Sequence, residues 1–154
     1  MDNRIKLEFL SLSQNEAFAR ACAAAFIAPL DPTIEELADV RTAVSEAVTN
    51  AVIHGYKHKP GTVSMELTLT GRLLRVKVED SGCGIEDIEL AMQPFYTSGT
   101  NGERSGMGFA VMRAFMDSLK VESEVGIGTA VTMEKLFSDK LRLEESKKRV
   151  KDES

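Results

Sequence analysis

The sequence predicts an α/β fold of the α+β kind, a two-layer sandwich in which a mostly antiparallel sheet carries helices on one face. Three observations lead there. Two pairs of alternating apolar segments, "TVSMELTLT" with "LLRVKVED" and "KVESEV" with "TAVTMEKLF", are joined by very short glycine-containing links, which connect antiparallel neighbours. Between and before them lie segments whose apolar residues recur at helical spacing. The resulting order is strand, two helices, hairpin, loops, helix, hairpin, and it lays helices over a single sheet.

In chain order, Ile5, Leu7 and Phe9 alternate with charged neighbours and predict a half-buried first strand. Asn15 to about Ala28 reads as an apolar helix bearing Glu16 and Arg20 one turn apart, the spacing of an ordinary ion pair. "LDPTIEEL" then supplies a helix start, with Asp31 or Thr33 as the cap and Glu36 three residues after Thr33 completing a capping box. This second helix is expected to reach about His54, with Gly55 as a left-handed stop. The first hairpin turns at Gly71-Arg72. After Asp80 comes "SGCGIEDIELAMQPFYTSGTNGERSGMG", glycine-rich, partly helical near Ile85–Met92 and loop-like from Pro94 to Ser105. A helix "FAVMRAFMDSL" precedes the second hairpin, which turns across Gly126 and Gly128. Met107, Met112 and Met116 form a face of that helix expected to be core. The tail from Ser138 mixes basic and acidic residues with almost nothing apolar, and is expected to be a frayed helix or disordered. The chain therefore divides into one domain, residues 1–137, and a charged tail, 138–154.

With 154 residues, 43% of them hydrophobic and 28% charged, the chain is long enough to bury a real core and has the balance of a soluble protein. A formal net charge of −5 argues against nucleic acid as a direct partner. Cys22 and Cys83 have neither a CxxC nor a metal-binding spacing, the N-terminus has no signal-peptide core, and the apolar run "ACAAAFIAPL" is too short to span a bilayer. A cytoplasmic protein without a membrane partner is expected.

Four features bear on chemistry. In "AVSEAVTNAVIHGY", Glu46 and Asn50 sit one turn apart on the helix face opposite Val44, Ala47, Val48, Ala51 and Val52. Asp80 ends a strand and opens "DSGCGI", where Gly82 and Gly84 permit backbone geometry that side chains forbid. "SGMGF" places Gly106 and Gly108 at the start of a helix, whose free N–H groups suit an anion. Thr129 follows a glycine at the start of a strand. Each feature alone has an ordinary structural explanation; it is the four in this order, on these elements, that point to a site. His54, at a helix end, reads more simply as a partner of the helix dipole.

That ordered set resembles the Bergerat-type ATP-binding fold shared by histidine kinases, gyrase, MutL and one class of heat-shock chaperone. "NEAFARACAAAF", "LDPTIEELADVRTAVSEAVTNAVIHGY", "ERSGMGFAVM" and "MDSLKVESEVGIGT" are similar to the anti-sigma-F factor family of spore-forming bacteria, small anti-sigma factors that are also serine kinases. The resemblance runs from about Lys6 to Leu136 and leaves out the tail.

The resemblance implies ATP or ADP with Mg²⁺ as ligands, and it implies roles. Asn50 would present its amide oxygen to Mg²⁺, a hard cation that takes oxygen ligands. Asp80 would accept from the adenine amino group, Gly82 and Gly84 would let backbone approach the base, and Thr129 would close the pocket. Ser105, Gly106 and Gly108 would hold the phosphates, Arg104 would meet the γ-phosphate, and Pro94–Ser105 would fold over as a lid. Glu46 would take the proton of an incoming serine. The implied partners are a sporulation sigma factor, a small anti-anti-sigma factor phosphorylated on serine, and a second copy of the chain in a homodimer, with Glu16 and Arg20 near the partner face. Two alternatives stay open: a nucleotide-sensing anti-sigma module without transfer, and an anti-sigma kinase of the general stress response.

Overall fold

The computed structural model describes residues 2–57, 59–93 and 108–153. Strands β1 (Asp2–Leu10), β2 (Thr62–Thr70), β3 (Leu73–Asp80), β4 (Ser118–Glu124) and β5 (Gly128–Leu136) form one antiparallel sheet in the order β1-β2-β3-β5-β4. Helices α1 (Gln14–Ile27), α2 (Ile34–Asn50) and α4 (Gly108–Phe115) pack together, with α2 between the other two. A short helix, α3 (Ile88–Ala91), lies in the loop region, and α5 (Lys140–Glu153) ends the chain.

The register explains why one face of the sheet is core. Leu7, Met65, Val78, Val131 and Val121 stand side by side across all five strands, and Ile5, Leu67, Val76, Met133 and Leu119 form the next row. These rows meet Ala43, Val44, Ala47 and Val48 of α2, Ala19, Ala23 and Ile27 of α1, and Met112 of α4, all buried. Burying one Leu, Val or Met side chain completely stabilises by roughly 1.5–3 kcal/mol. The opposite face is polar; Lys6, Glu66, Lys77, Thr132 and Lys120 make one of its rows. Its ion pairs, Lys77 with Glu79 at 3.0 Å and Lys120 with Glu122 at 2.7 Å, are solvent-exposed and contribute little. A third core-side row runs Phe9, Val63, Asp80, Thr129, Ser123, apolar at one end and polar at the other.

Thr33, not Asp31, caps α2: its hydroxyl accepts from Glu36 N at 3.0 Å while Glu36 Oε1 accepts from Thr33 N at 2.9 Å. Glu36 has a second task. Its other oxygen accepts from Ser138 N at 2.8 Å, and the Arg72 guanidinium donates to the carbonyls of Leu30, Phe137 and Ser138, so the end of β5 is fastened to the start of α2. Burial pushes the Glu36 carboxyl up, but the hydrogen bonds from Thr33 and Ser138 outweigh it and hold the group below its ordinary value.

Three boundaries differ from the sequence expectation. The α-helical pattern ends at Asn50, and Ala51–Gly55 is a single π turn closed by Tyr56 N on Ala51 O at 3.0 Å. Gly55 is not left-handed; Lys57 takes the positive φ, 52°. The wider turn brings the Gly55 carbonyl to Cys83 N at 2.9 Å, a tertiary demand that local spacing does not reveal. Likewise α4 stops at Phe115 instead of continuing to Leu119. Asp117 N donates to Glu134 O at 2.8 Å and its carboxylate accepts from Leu136 N at 2.6 Å, so the chain is drawn out into β4 alongside β5. Only Ile88–Ala91 of the expected 85–92 segment is helical, capped by Asp87 on Leu90 N at 3.0 Å. Within the tail, Lys140–Glu153 is helical. Met112 and Met116 are buried as expected; Met107, His58 and the expected lid lie outside the described residues. Among the described residues no helix is long and apolar enough to cross a membrane.

Candidate functional site

A cavity of about 680 Å³ opens where the end of α2 and the π turn face the end of β3, the loop after it, the start of α4 and the β4–β5 hairpin. That volume falls in the range of small-ligand sites. Ala47, Val78, Ile85 and Val131 give it apolar walls.

Part of its wall is built by α2 and α4. Glu46 and Asn50, half-buried, both face the cavity, while their neighbours Ala47 and Val48 sink into the core. Gly108, the first described residue of α4, packs directly on this pair: a Cβ there would stand 3.0 Å from Asn50 Oδ1 and 3.3 Å from Glu46 Oε2. A carboxylate, a carboxamide and the first turn of a helix thus converge. Helix N-termini hold anions through free N–H groups and the dipole.

Asp80 and Thr129, from the polar half of the third core row, also line the cavity. Asp80 Oδ1 accepts from Gly82 N at 2.9 Å, and Thr129 N–H also donates to the carboxylate. Burial raises the Asp80 pKa above its ordinary value, and these two bonds only partly oppose it. Asp80 is thus a half-buried acceptor on the cavity wall. Of the two glycines in "DSGCGI", Gly84 (φ 77°) lies on the Glu124 carbonyl, where a Cβ would come within 2.3 Å, and Gly82 lies on the Gly55 carbonyl. In both, the side chain is excluded by backbone of this chain.

Sequence reasoning missed two residues that frame Asp80. The Tyr56 hydroxyl accepts from Ser81 N at 2.7 Å and donates to Thr62 O at 2.6 Å, clamping the strand end behind the carboxylate. The only signal was its position, immediately after His54-Gly55. Ser123 bonds with Ile85 N, Gly128 O and Thr129, and becomes visible only through the strand register. His54 and Lys57 also line the cavity.

Among the described residues no group of three His, Cys, Asp or Glu side chains could by itself hold a metal ion. The amide oxygen of Asn50 fits a different arrangement, a hard divalent cation that takes the rest of its ligands from a bound polyanion. Such a cation also answers the charge problem, since Glu46, Asp80, Glu86 and Asp87 all line this cavity. Arg104, Ser105 and Gly106 lie outside the described residues. Glu16 and Arg20 lie away from the cavity, paired at 3.6 Å, with the Ser45 hydroxyl donating to Glu16 across the α1–α2 contact. Phe18 is 59% exposed on the same helix.

Residues 9–135 match the histidine kinase-like ATPase domain family. A relative from Clostridium kluyveri named "Anti-sigma F factor" is 60% identical over 137 residues, covering 89% of this chain and 96% of the relative. Another of that name from Clostridium acetobutylicum is 54% identical over 138 residues, covering 90% and 96%. A third, from Thermoanaerobacter pseudethanolicus, is 57% identical over 139 residues, covering 90% and 97%. Among solved structures, the crystal structure of the RsbU and RsbW domains of a Mycobacterium tuberculosis protein superimposes with a TM-score of 0.64 at 20% identity, covering 88% of this chain and 32% of that one. This last likeness concerns the fold alone. The chain belongs to the histidine kinase-like ATPase domain family, on the branch whose curated members are named anti-sigma F factor.

Proposed function

We propose that the chain is an ATP-dependent protein-serine kinase that also binds and inhibits a sporulation sigma factor, and that residues 1–137 carry both activities. The observation behind the kinase half is the convergence of Glu46 and Asn50 on Gly108 at the start of α4, with the acceptor Asp80 lining the same cavity. A nucleotide triphosphate laid along it has its base at Asp80 and Thr129 and its phosphates at α4. Asn50 would hold Mg²⁺ through its amide oxygen; when bound, the ion neutralises phosphate charge. Arg104, Ser105, Gly106 and Gly108 would complete the phosphate end.

Glu46 is the residue that argues for transfer over mere binding. In our reading it accepts the proton as the serine oxygen bonds to the γ-phosphorus and the bond to the leaving ADP oxygen breaks. A nucleotide sensor needs Asn50 and Asp80 but no base at that place. The acceptor is the serine of a small anti-anti-sigma protein. The sigma-binding half rests on the names of the close relatives, and we place its surface near Glu16, Arg20 and Phe18 on a cytoplasmic homodimer.

The test is incubation of the purified chain with labelled ATP, Mg²⁺ and the candidate anti-anti-sigma protein, followed by phosphoamino-acid analysis. Labelled phosphoserine is expected. Tight ATP binding with no transfer would favour the sensor, and no nucleotide binding would overturn the assignment of the cavity.

A further inference from the structure

We propose that Ser123 fixes the direction of the Thr129 hydroxyl, so that Thr129 offers only lone pairs to the cavity and, beside Asp80, selects a purine bearing a hydrogen-bond donor at its six-position. The proposal rests on the reading of Asp80 and Thr129 as the base-recognising end of the cavity.

A serine hydroxyl has one hydrogen to donate and two lone pairs to accept with. Ser123 Oγ has three partners: Ile85 N at 2.8 Å, Gly128 O at 3.0 Å and Thr129 Oγ1 at 2.8 Å. The backbone N–H of Ile85 must donate. The Gly128 carbonyl must accept, and so takes the one serine hydrogen. What remains between the two hydroxyls is a bond that Thr129 donates. Thr129 lines the cavity, and with its hydrogen committed its Oγ1 has only lone pairs to offer. Its row neighbour Asp80, when ionised, is also an acceptor only.

The placement is rigid. Thr129 and Ser123 are register partners on β5 and β4, and Thr129 and Asp80 are register partners on β5 and β3. Ser123 does not itself line the cavity, so it is a positioning residue. Two acceptors side by side accommodate an amine and repel a carbonyl, because a site left with unpaired buried polar groups discriminates more strongly than one that only loses contact area.

The experiment compares ATP with inosine triphosphate, which carries a carbonyl where ATP carries the amine, by displacement of a fluorescent adenine nucleotide. The wild type should prefer ATP. In Ser123→Ala the Thr129 hydroxyl is free to rotate and donate, and the preference should fall by about tenfold, mainly because the inosine nucleotide binds better. Ser123→Thr keeps the hydroxyl on a residue suited to a strand and should restore the preference. In a Thr129→Val background, Ser123→Ala should change the ratio no further. A wild-type ratio in Ser123→Ala would overturn the proposal while leaving the nucleotide site intact. If Ser123→Ala does not fold, Thr129→Val decides, since an unchanged ratio there removes Thr129 from recognition and the proposal with it. A wild type that binds neither nucleotide, or both equally, would overturn the underlying reading of the cavity.

Discussion

Gly82 lies directly on the carbonyl of Gly55: a Cβ built on Gly82 would stand 2.1 Å from that oxygen. No rotamer relieves such a contact, because both partners are backbone. The neighbouring bond, Cys83 N to the same carbonyl at 2.9 Å, fixes the π turn against the loop that follows Asp80. Gly82→Ala should therefore force these two segments apart and lower stability by about 1–3 kcal/mol, the usual cost of overpacking. Nucleotide binding should be lost by more than the stability change alone explains. Urea denaturation and calorimetric titration on the same preparation check it; a wild-type denaturation midpoint would refute the contact.

Asp80 links recognition to stability. Its folded-state pKa is raised by burial, with the N–H groups of Gly82 and Thr129 opposing. The folded chain thus holds the proton more firmly than the unfolded chain does. That stabilisation is complete below the ordinary aspartate value of about 4, and it disappears as pH rises through the elevated folded value. Asp80→Asn has no such dependence. Relative to the variant, the ligand-free wild type should lose stability across this interval, and parallel pH profiles of the two proteins would argue against it. ATP should bind the variant more weakly, since the lost acceptor is a charged one, with bonds worth about 1.5–3 kcal/mol.

Asn50→Ala removes the amide oxygen that meets Gly108 and, in our proposal, the protein's own ligand to Mg²⁺. Binding of Mg·ATP should fall steeply, while ADP measured without the metal should fall less. Folding should be nearly unaffected, because Asn50 is half-buried at the cavity wall and outside the core cluster. Calorimetry with and without Mg²⁺ separates these expectations. Equal losses under both conditions would remove the metal-ligand role.

These residues also show what local sequence carries. The capping box at Thr33 and Glu36, the hairpin at Gly71, and the one-turn spacing of Glu46 and Asn50 are properties of a few adjacent residues, and each lies in the structure where the pattern put it. The π turn, the early end of α4 at Phe115 and the clamping of Ser81 by Tyr56 depend on partners 17 to 29 residues away, and no periodicity signals them. Ser123 is the sharpest case. The alternation of "KVESEV" puts it on the face of Val121, but only the register places it beside Thr129. The glycines of "DSGCGI" were legible as a requirement, but their reason was not: both make room for backbone of this chain.

Glu46 decides between kinase and sensor. Glu46→Gln keeps the size of the side chain and leaves Asn50, Asp80 and Gly108 in place, so ATP affinity should change little. The amide cannot take the proton of an attacking serine, and losing a positioned base costs about 10²–10⁴ in rate. Sigma-factor binding, if it belongs to the Glu16–Arg20 face of α1, lies outside the cavity and should survive. The variant should then hold its sigma factor and fail to phosphorylate the antagonist. Serine phosphorylation and sigma binding are to be measured on one preparation. Transfer within a few-fold of wild type would exclude Glu46 as the base. Loss of both activities together would make it a structural residue, since a base that acts only on the incoming hydroxyl has no reason to disturb a surface on another helix.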